Sequence, residues 1–223
     1  MNRHRFIWIG IVTLTLALLL AAARLPYFPG DVAIAKLVQA IAPGGVDWAK
    51  LLTETAKTPW KYILLGITCA VAWFLSVWLA SLLSIASFIG MSIVEPLLKD
   101  WIARPRPAAD LIHVAGTLKG YSMPSTFAVV YASTLGFLAI LAIAKSKRSK
   151  TTRLAVLIPC CLLLLIGGIA RIVLGAHWSS DILLSYWISG LWTVLLIQML
   201  PDQTAQLNRV ERREQVQINA ETH

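Results

Sequence analysis

Residues 62–94 read YILLGITCAVAWFLSVWLASLLSIASFIGMSIV, without a single Lys, Arg, Asp or Glu. A helix needs about 20 apolar residues to cross a bilayer core roughly 30 Å thick, so this stretch with its flanks, Trp60 to Leu98, is long enough for two crossings. The same absence of charge recurs over Phe6–Ala23, Gly120–Ala144, Leu154–Ala170 and Ile182–Pro201. Across the 223 residues, 57% are hydrophobic and 14% charged, against about 25% charged in ordinary soluble domains. The composition predicts an all-α integral membrane bundle of about six transmembrane helices and excludes soluble, disordered and collagen-like classes.

The expected spans are Phe6–Ala23, two within Trp60–Leu98 with a turn near Ser76–Ser84, Ser125–Ala144, Leu154–Val173 and Asp181–Leu200. A short amphipathic helix near Val32–Ile41 is expected to lie at the interface. The basic start and the Ala21-Ala22-Ala23 run resemble a cleavable signal, but an uncleaved first span keeps the later topology consistent. The organisation is one domain over 1–201 and a polar, cytoplasmic tail over 202–223.

The net charge is +9, from 20 Lys+Arg and 11 Asp+Glu. Arg3 and Arg5, the loop with Lys145, Lys147, Arg148, Lys150 and Arg153, and Arg209, Arg212 and Arg213 read as topology signals and not as a nucleic-acid surface. They predict both termini in the cytoplasm of a plasma (bacterial inner) membrane. Cys69, Cys160 and Cys161 lie in apolar runs with no metal-type spacing and read as small hydrophobes. No metal or cofactor is expected. Trp60, Trp101 and Trp178, near span ends, read as interfacial belt residues.

Lys99, Arg104, Arg106 and Arg171 fall at the other, outer face, against the topological bias, and point to an anionic substrate. The prolines of Arg104-Pro105-Arg106-Pro107 cannot continue a helix, and guanidinium forks match phosphate oxygens. Ser125, after Pro124, is placed to cap a helix whose free N–H groups attract anions. His177 and Asp181 are four apart, so that the carboxylate can fix the imidazole. An oriented imidazole among cations suits attack on phosphorus.

The order of these residues resembles the type 2 phosphatidic acid phosphatase family of integral membrane lipid phosphatases. Lys99 to Pro107 fits its first motif, Lys, six residues, Arg-Pro. Arg171, His177 and Asp181 fit the third, with Ala170 in place of a Ser. The second, Pro-Ser-Gly-His, reads here Pro124-Ser125-Thr126-Phe127. The resemblance implies that His177 becomes a phosphohistidine and Asp181 orients it, while Lys99, Arg106, Arg171, Ser125 and Thr126 with nearby amides bind phosphate. The family's site is shared with vanadium haloperoxidases, but six spans suit a lipid substrate.

The family's second histidine protonates the leaving group and activates water, and Phe127 can do neither. General acid catalysis contributes typically 10²- to 10⁴-fold. Its loss harms a lipid alkoxide leaving group, whose basicity is near that of hydroxide (water pKa about 15.7). It matters least for a phosphate leaving group, with a second pKa of about 6. A lipid (polyprenyl) diphosphate is therefore the preferred substrate over a lipid monophosphate, with membrane lipids as further partners and no nucleic acid. Phosphotransfer from a lipid diphosphate and non-catalytic binding of lipid phosphates are the alternatives. His113, in the outer loop, is the candidate substitute acid.

Overall fold

The computed structural model describes residues 3–42 and 45–201; the expected tail over 202–223 lies outside them. Among these residues the structure is helical, without strands: α1 (Arg3–Arg24), α2 (Asp31–Ile41), α3 (Asp47–Glu54), α4 (Trp60–Leu75), α5 (Trp78–Ile102), α6 (Thr126–Tyr131), α7 (Phe137–Ala144), α8 (Lys150–Val173) and α9 (Ser179–Ile197). A π-turn at Ala132–Gly136 joins α6 to α7, making one rod over Thr126–Ala144.

Five of these rods are long and apolar enough to cross a membrane: Arg5–Arg24, Trp78–Ile102, Thr126–Ala144, Lys150–Val173 and Ser179–Ile197. The remaining expected span is α4, with 16 residues. It rises only about 24 Å at 1.5 Å per residue, short of a bilayer core of about 30 Å. Its turn into α5 falls at Ser76–Val77, the start of the expected window. The rod Thr126–Ala144 is the axis of the bundle, with 78% of its apolar window buried. Phe127, Tyr131, Leu135, Phe137 and Leu141 hold it in the main core against α4, α5 and α8.

Successive rods run in alternate directions, so their ends sort into two groups. At one end Lys147 N–H donates to Leu75 O (2.9 Å), Arg148 Nε to Phe74 O (2.6 Å) and Arg153 Nε to Ala142 O (2.6 Å). The basic loop thus caps the C-terminal ends of α4 and α7. At the other end the C-terminus of α1 meets the chain after α5: Arg104 Nε donates to Leu25 O at 3.2 Å. Here α5 ends on Ala103 in the left-handed region (φ 49°), just before the rigid Pro105 and Pro107.

The expected helix near Val32–Ile41 is α2, which packs on α8 and α9. The second short helix, α3, was not expected; Ala49 and Leu52 bury its apolar side against Ala170, Val173 and Leu174 of α8 and its end. Trp178 is no belt residue. It is 1% exposed, packed with Ala35, Ile112 and Ile172 and 5.5 Å from the Tyr27 ring. Trp60 and Trp101 are exposed, and all three cysteines are free.

Candidate active site

The end of the bundle away from the basic loop gathers the residues of the three motifs. Lys99 stands in the last turn of α5, Ser125 caps α6, Arg171 lies in the last turn of α8, and His177 and Asp181 flank the start of α9. Two packing features bring them together. Ser125 Oγ accepts from Ala128 N–H at 3.4 Å, while Ser125 N–H donates to Ser185 Oγ at 2.9 Å, tying α6 to α9. The loop after α5 is fixed on the turn before His177. Ala115 N–H donates to Leu174 O at 3.0 Å, and Gly175 (φ +61°) lies so close to His113 O that a Cβ would stand 2.1 Å from it. Only glycine allows that approach and that backbone angle.

His177 is 2% exposed. Its Nδ1 lies 2.7 Å from the carbonyl oxygen of Ser122. A carbonyl only accepts, so Nδ1 carries the proton and Nε2 is left as a lone pair. Burial pushes the His177 pKa well below its ordinary value, and the fields of Arg171, Arg106 and Lys99 add to this against the Ser122 hydrogen bond. The imidazole is therefore neutral, with Nε2 as its lone-pair nitrogen, and lies within the fields of these three cations.

Asp181 does not hold His177 directly. Its carboxylate is 3.9 Å from Nδ1, beyond hydrogen-bond distance. It instead accepts from Ser122 Oγ and from Trp178 N–H (2.9 Å). Both neighbours matter: Ser122 presents the carbonyl that orients the imidazole, and Trp178 follows His177 in the chain. Asp181 is thus linked to the imidazole through these two groups.

The cations divide into two roles. Arg104, 1% exposed, is not available to a substrate. Its guanidinium is paired with Asp181, with Asp31 Oδ2 (3.2 Å) and with Ser180 Oγ (2.9 Å). Asp31 in turn accepts from Phe28 N–H (2.8 Å), Ser180 N–H (3.0 Å), Ser179 Oγ (2.7 Å) and Ser180 Oγ (2.6 Å). Burial alone would push the Asp31 carboxyl up, but these donors outweigh it and hold it below the usual carboxylate range. Arg106 is pinned by Ala176 O (2.8 Å) and Gly120 O (3.1 Å), and burial lowers its pKa against the field of Asp181. Arg171 keeps a buried Nε with no hydrogen-bond partner and stands 5.9 Å from the Phe127 ring.

Phe127 is 4% exposed, with its ring 4.1 Å from that of Tyr131 and pressed onto Gly167 of α8. It puts an aromatic ring, with no group able to transfer a proton, 5.9 Å from the Arg171 guanidinium. Thr126 points its hydroxyl the other way, accepting from Lys99 Nζ (2.9 Å) and donating to Glu95 Oε1 (2.7 Å). His113 is exposed and lines a separate cavity of about 250 Å³ with Gln39, Ala42 and Val173. None of the motif residues lines that cavity.

The sequence reading missed four contributors: Asp31, Glu95, the carbonyl of Ser122, and the structural use of Arg104. Glu95 carried a signal, since a carboxylate inside an apolar span is a functional candidate by default, and it stands four residues before Lys99. Asp31 and Ser122 carried none.

Among solved structures, the chain is similar to the crystal structure of a transmembrane PAP2-type phosphatidylglycerolphosphate phosphatase from Bacillus subtilis. The TM-score is 0.64 at 22% identity, over 84% of this chain and 92% of that one. That likeness establishes the fold. A search of curated proteins found no match. The family model of the PAP2 superfamily matches residues 74–205, more than half of the chain and every motif residue described above. This chain is a membrane protein of the PAP2 superfamily.

Proposed function

We propose that the protein is a membrane lipid phosphatase that removes phosphate through a phosphohistidine at His177, with a lipid (polyprenyl) diphosphate as preferred substrate. One observation carries the reading: a neutral imidazole, with Nδ1 donating to a fixed carbonyl and Nε2 free, placed within the fields of Lys99, Arg106 and Arg171. The nucleophile attacks phosphorus from Nε2 as the P–O bond to the leaving group breaks. The cations hold the phosphate oxygens as charge develops on them.

Two features support a lipid diphosphate. An apolar groove of about 660 Å³, with Trp48, Leu51, Leu52, Trp60 and Ile166, runs along α3. It meets, at Glu54, a more polar cavity of about 270 Å³ that contains Arg171. A lipid tail in the first places its headgroup at the second. Phe127, buried among carbon, cannot protonate a leaving oxygen, which favours a leaving group that needs no proton.

We place the site at the outer face of the plasma membrane, with the N-terminus and the basic loop after α7 in the cytoplasm, following the positive-inside bias. A specific observation also favours a second reading. With no proton-transfer group at position 127, an already ionised lipid phosphate is a better acceptor than water, so transfer between lipids competes with hydrolysis. The experiment is phosphate release by the purified protein from paired lipid mono- and diphosphates, with His177→Ala alongside. The expected result is release from the diphosphate at the higher rate and none from the variant. Equal release by His177→Ala removes the mechanism.

A further inference from the structure

Glu95 has no place in the chemistry described so far, and it sits where a carboxylate is least welcome. It lies in α5, a span, where a charged side chain is costly. It is 9% exposed, one turn before the phosphate-binding Lys99. Its Oε1 is paired with Lys99 Nζ and accepts from Thr126 Oγ1 at 2.7 Å, while Lys99 Nζ also donates to that hydroxyl at 2.9 Å. The three groups form a closed triangle. Thr126 immediately precedes Phe127 and follows the Ser125 cap.

As a structural pair alone, this arrangement works against the site. A carboxylate beside Lys99 cancels the charge that should attract phosphate and repels the phosphate itself. What it supplies instead is a fixed carboxylate in contact with two of the expected phosphate ligands, Lys99 and Thr126. Lys99 and Thr126 hold that carboxylate in one orientation.

We propose that Glu95 is the general base that activates water against the phosphohistidine. The inference rests on His177 being the nucleophile. Water oxygen attacks phosphorus while the P–Nε2 bond breaks. The water proton passes to the Glu95 carboxylate, and the bond electrons return to Nε2, leaving neutral His177 with its proton still on Nδ1. Inorganic phosphate leaves, and Glu95 then loses its proton to solvent. The first step needs no acid when phosphate is the leaving group. The second, which does need a base, has one in Glu95, which favours release to water over transfer to a second lipid.

The experiment uses the full-length purified protein with a polyprenyl diphosphate, comparing wild type, Glu95→Gln and Glu95→Ala in rapid-quench and steady-state assays. Glu95→Gln keeps the size and an acceptor for Thr126 but not the base. The expected result is an unchanged first burst of about one leaving group per protein, steady turnover slowed about 10²-fold or more, and an acid-labile phosphoenzyme that accumulates. Added formate should partly restore turnover in Glu95→Ala, where the removed side chain leaves room for it.

A changed KM with unchanged kcat and no trapped phosphoenzyme would overturn the proposal and leave Glu95 as a partner of Lys99. Wild-type transfer to lipid phosphate without release to water would overturn it as well. A wild type with neither burst nor release would instead remove the His177 reading on which the proposal stands.

Discussion

Arg104→Met removes the guanidinium that lies between two buried carboxylates. Asp31 loses one contact of 3.2 Å and keeps Phe28 N–H, Ser179 Oγ and both donors of Ser180. Asp181 loses the guanidinium paired with it and keeps Ser122 Oγ and Trp178 N–H. Breaking a buried pair from one side costs about 3–5 kcal/mol, because the other charge stays behind. Nearly all of that falls on Asp181. At roughly 2–4 °C per kcal/mol for a chain of this size, thermal unfolding in detergent should drop by about 10 °C. Asp181→Asn in the Arg104→Met background should recover part of the loss, because the stranded charge is gone. A drop of less than about 2 °C (under 1 kcal/mol), or no recovery in the double variant, would refute the idea that Arg104 is a buried structural cation.

Three further outcomes are expected. Gly175→Ala forces a Cβ to 2.1 Å from His113 O at φ +61°; overpacking of about 1–3 kcal/mol plus about 1–2 kcal/mol for the left-handed backbone should lower stability measurably, with loss of phosphate release as the loop shifts. The folded pKa of His177 is pushed well below the ordinary value, so the unfolded chain binds the extra proton. Its contribution to stability is full above about pH 6.5 and declines as pH falls toward the folded value, so melting curves of wild type and His177→Asn should diverge progressively below that point; parallel curves contradict the assignment. Restoring Gly and His with Thr126→Gly and Phe127→His should raise lipid monophosphate cleavage by about 10²-fold, and diphosphate cleavage by less, in paired kinetics.

The span pattern was legible because the bilayer imposes a length and a polarity that composition records directly. The boundaries at Ala144 and Ile41 follow from the basic loop and the Pro43 segment that end those apolar runs, and the one at Val173 from the turn at Gly175. α3 was not legible, since its eight residues mix four charged or polar side chains with an apolar face that acquires meaning only against α8. The convergence of Lys99, Arg171 and His177 could be read from alternate span directions. The motif spacing from Lys99 singled out Arg106 as the expected phosphate ligand, but the structural use of Arg104 could not be read, since nothing in the sequence shows that Asp31 and Asp181 enclose it. Asp181 was read as touching His177 because four residues separate them, but α9 begins at Ser179, after the imidazole. The carboxylate therefore turns back to Trp178 N–H and Ser122 Oγ, and the carbonyl of Ser122 takes the imidazole. Trp178 was misread for a related reason: its place near a span end says nothing about the cover that α2 provides.

The central claim is a covalent phosphoryl group on His177. Purified protein should be mixed with polyprenyl diphosphate labelled in its terminal phosphate, quenched in alkali within milliseconds and mapped by peptide mass spectrometry. The account predicts an acid-labile, alkali-stable phosphate on the peptide that carries His177, absent in His177→Ala and more abundant in Glu95→Gln. Phosphate release from that substrate with no phosphate ever found on His177, in wild type or in Glu95→Gln, would contradict it.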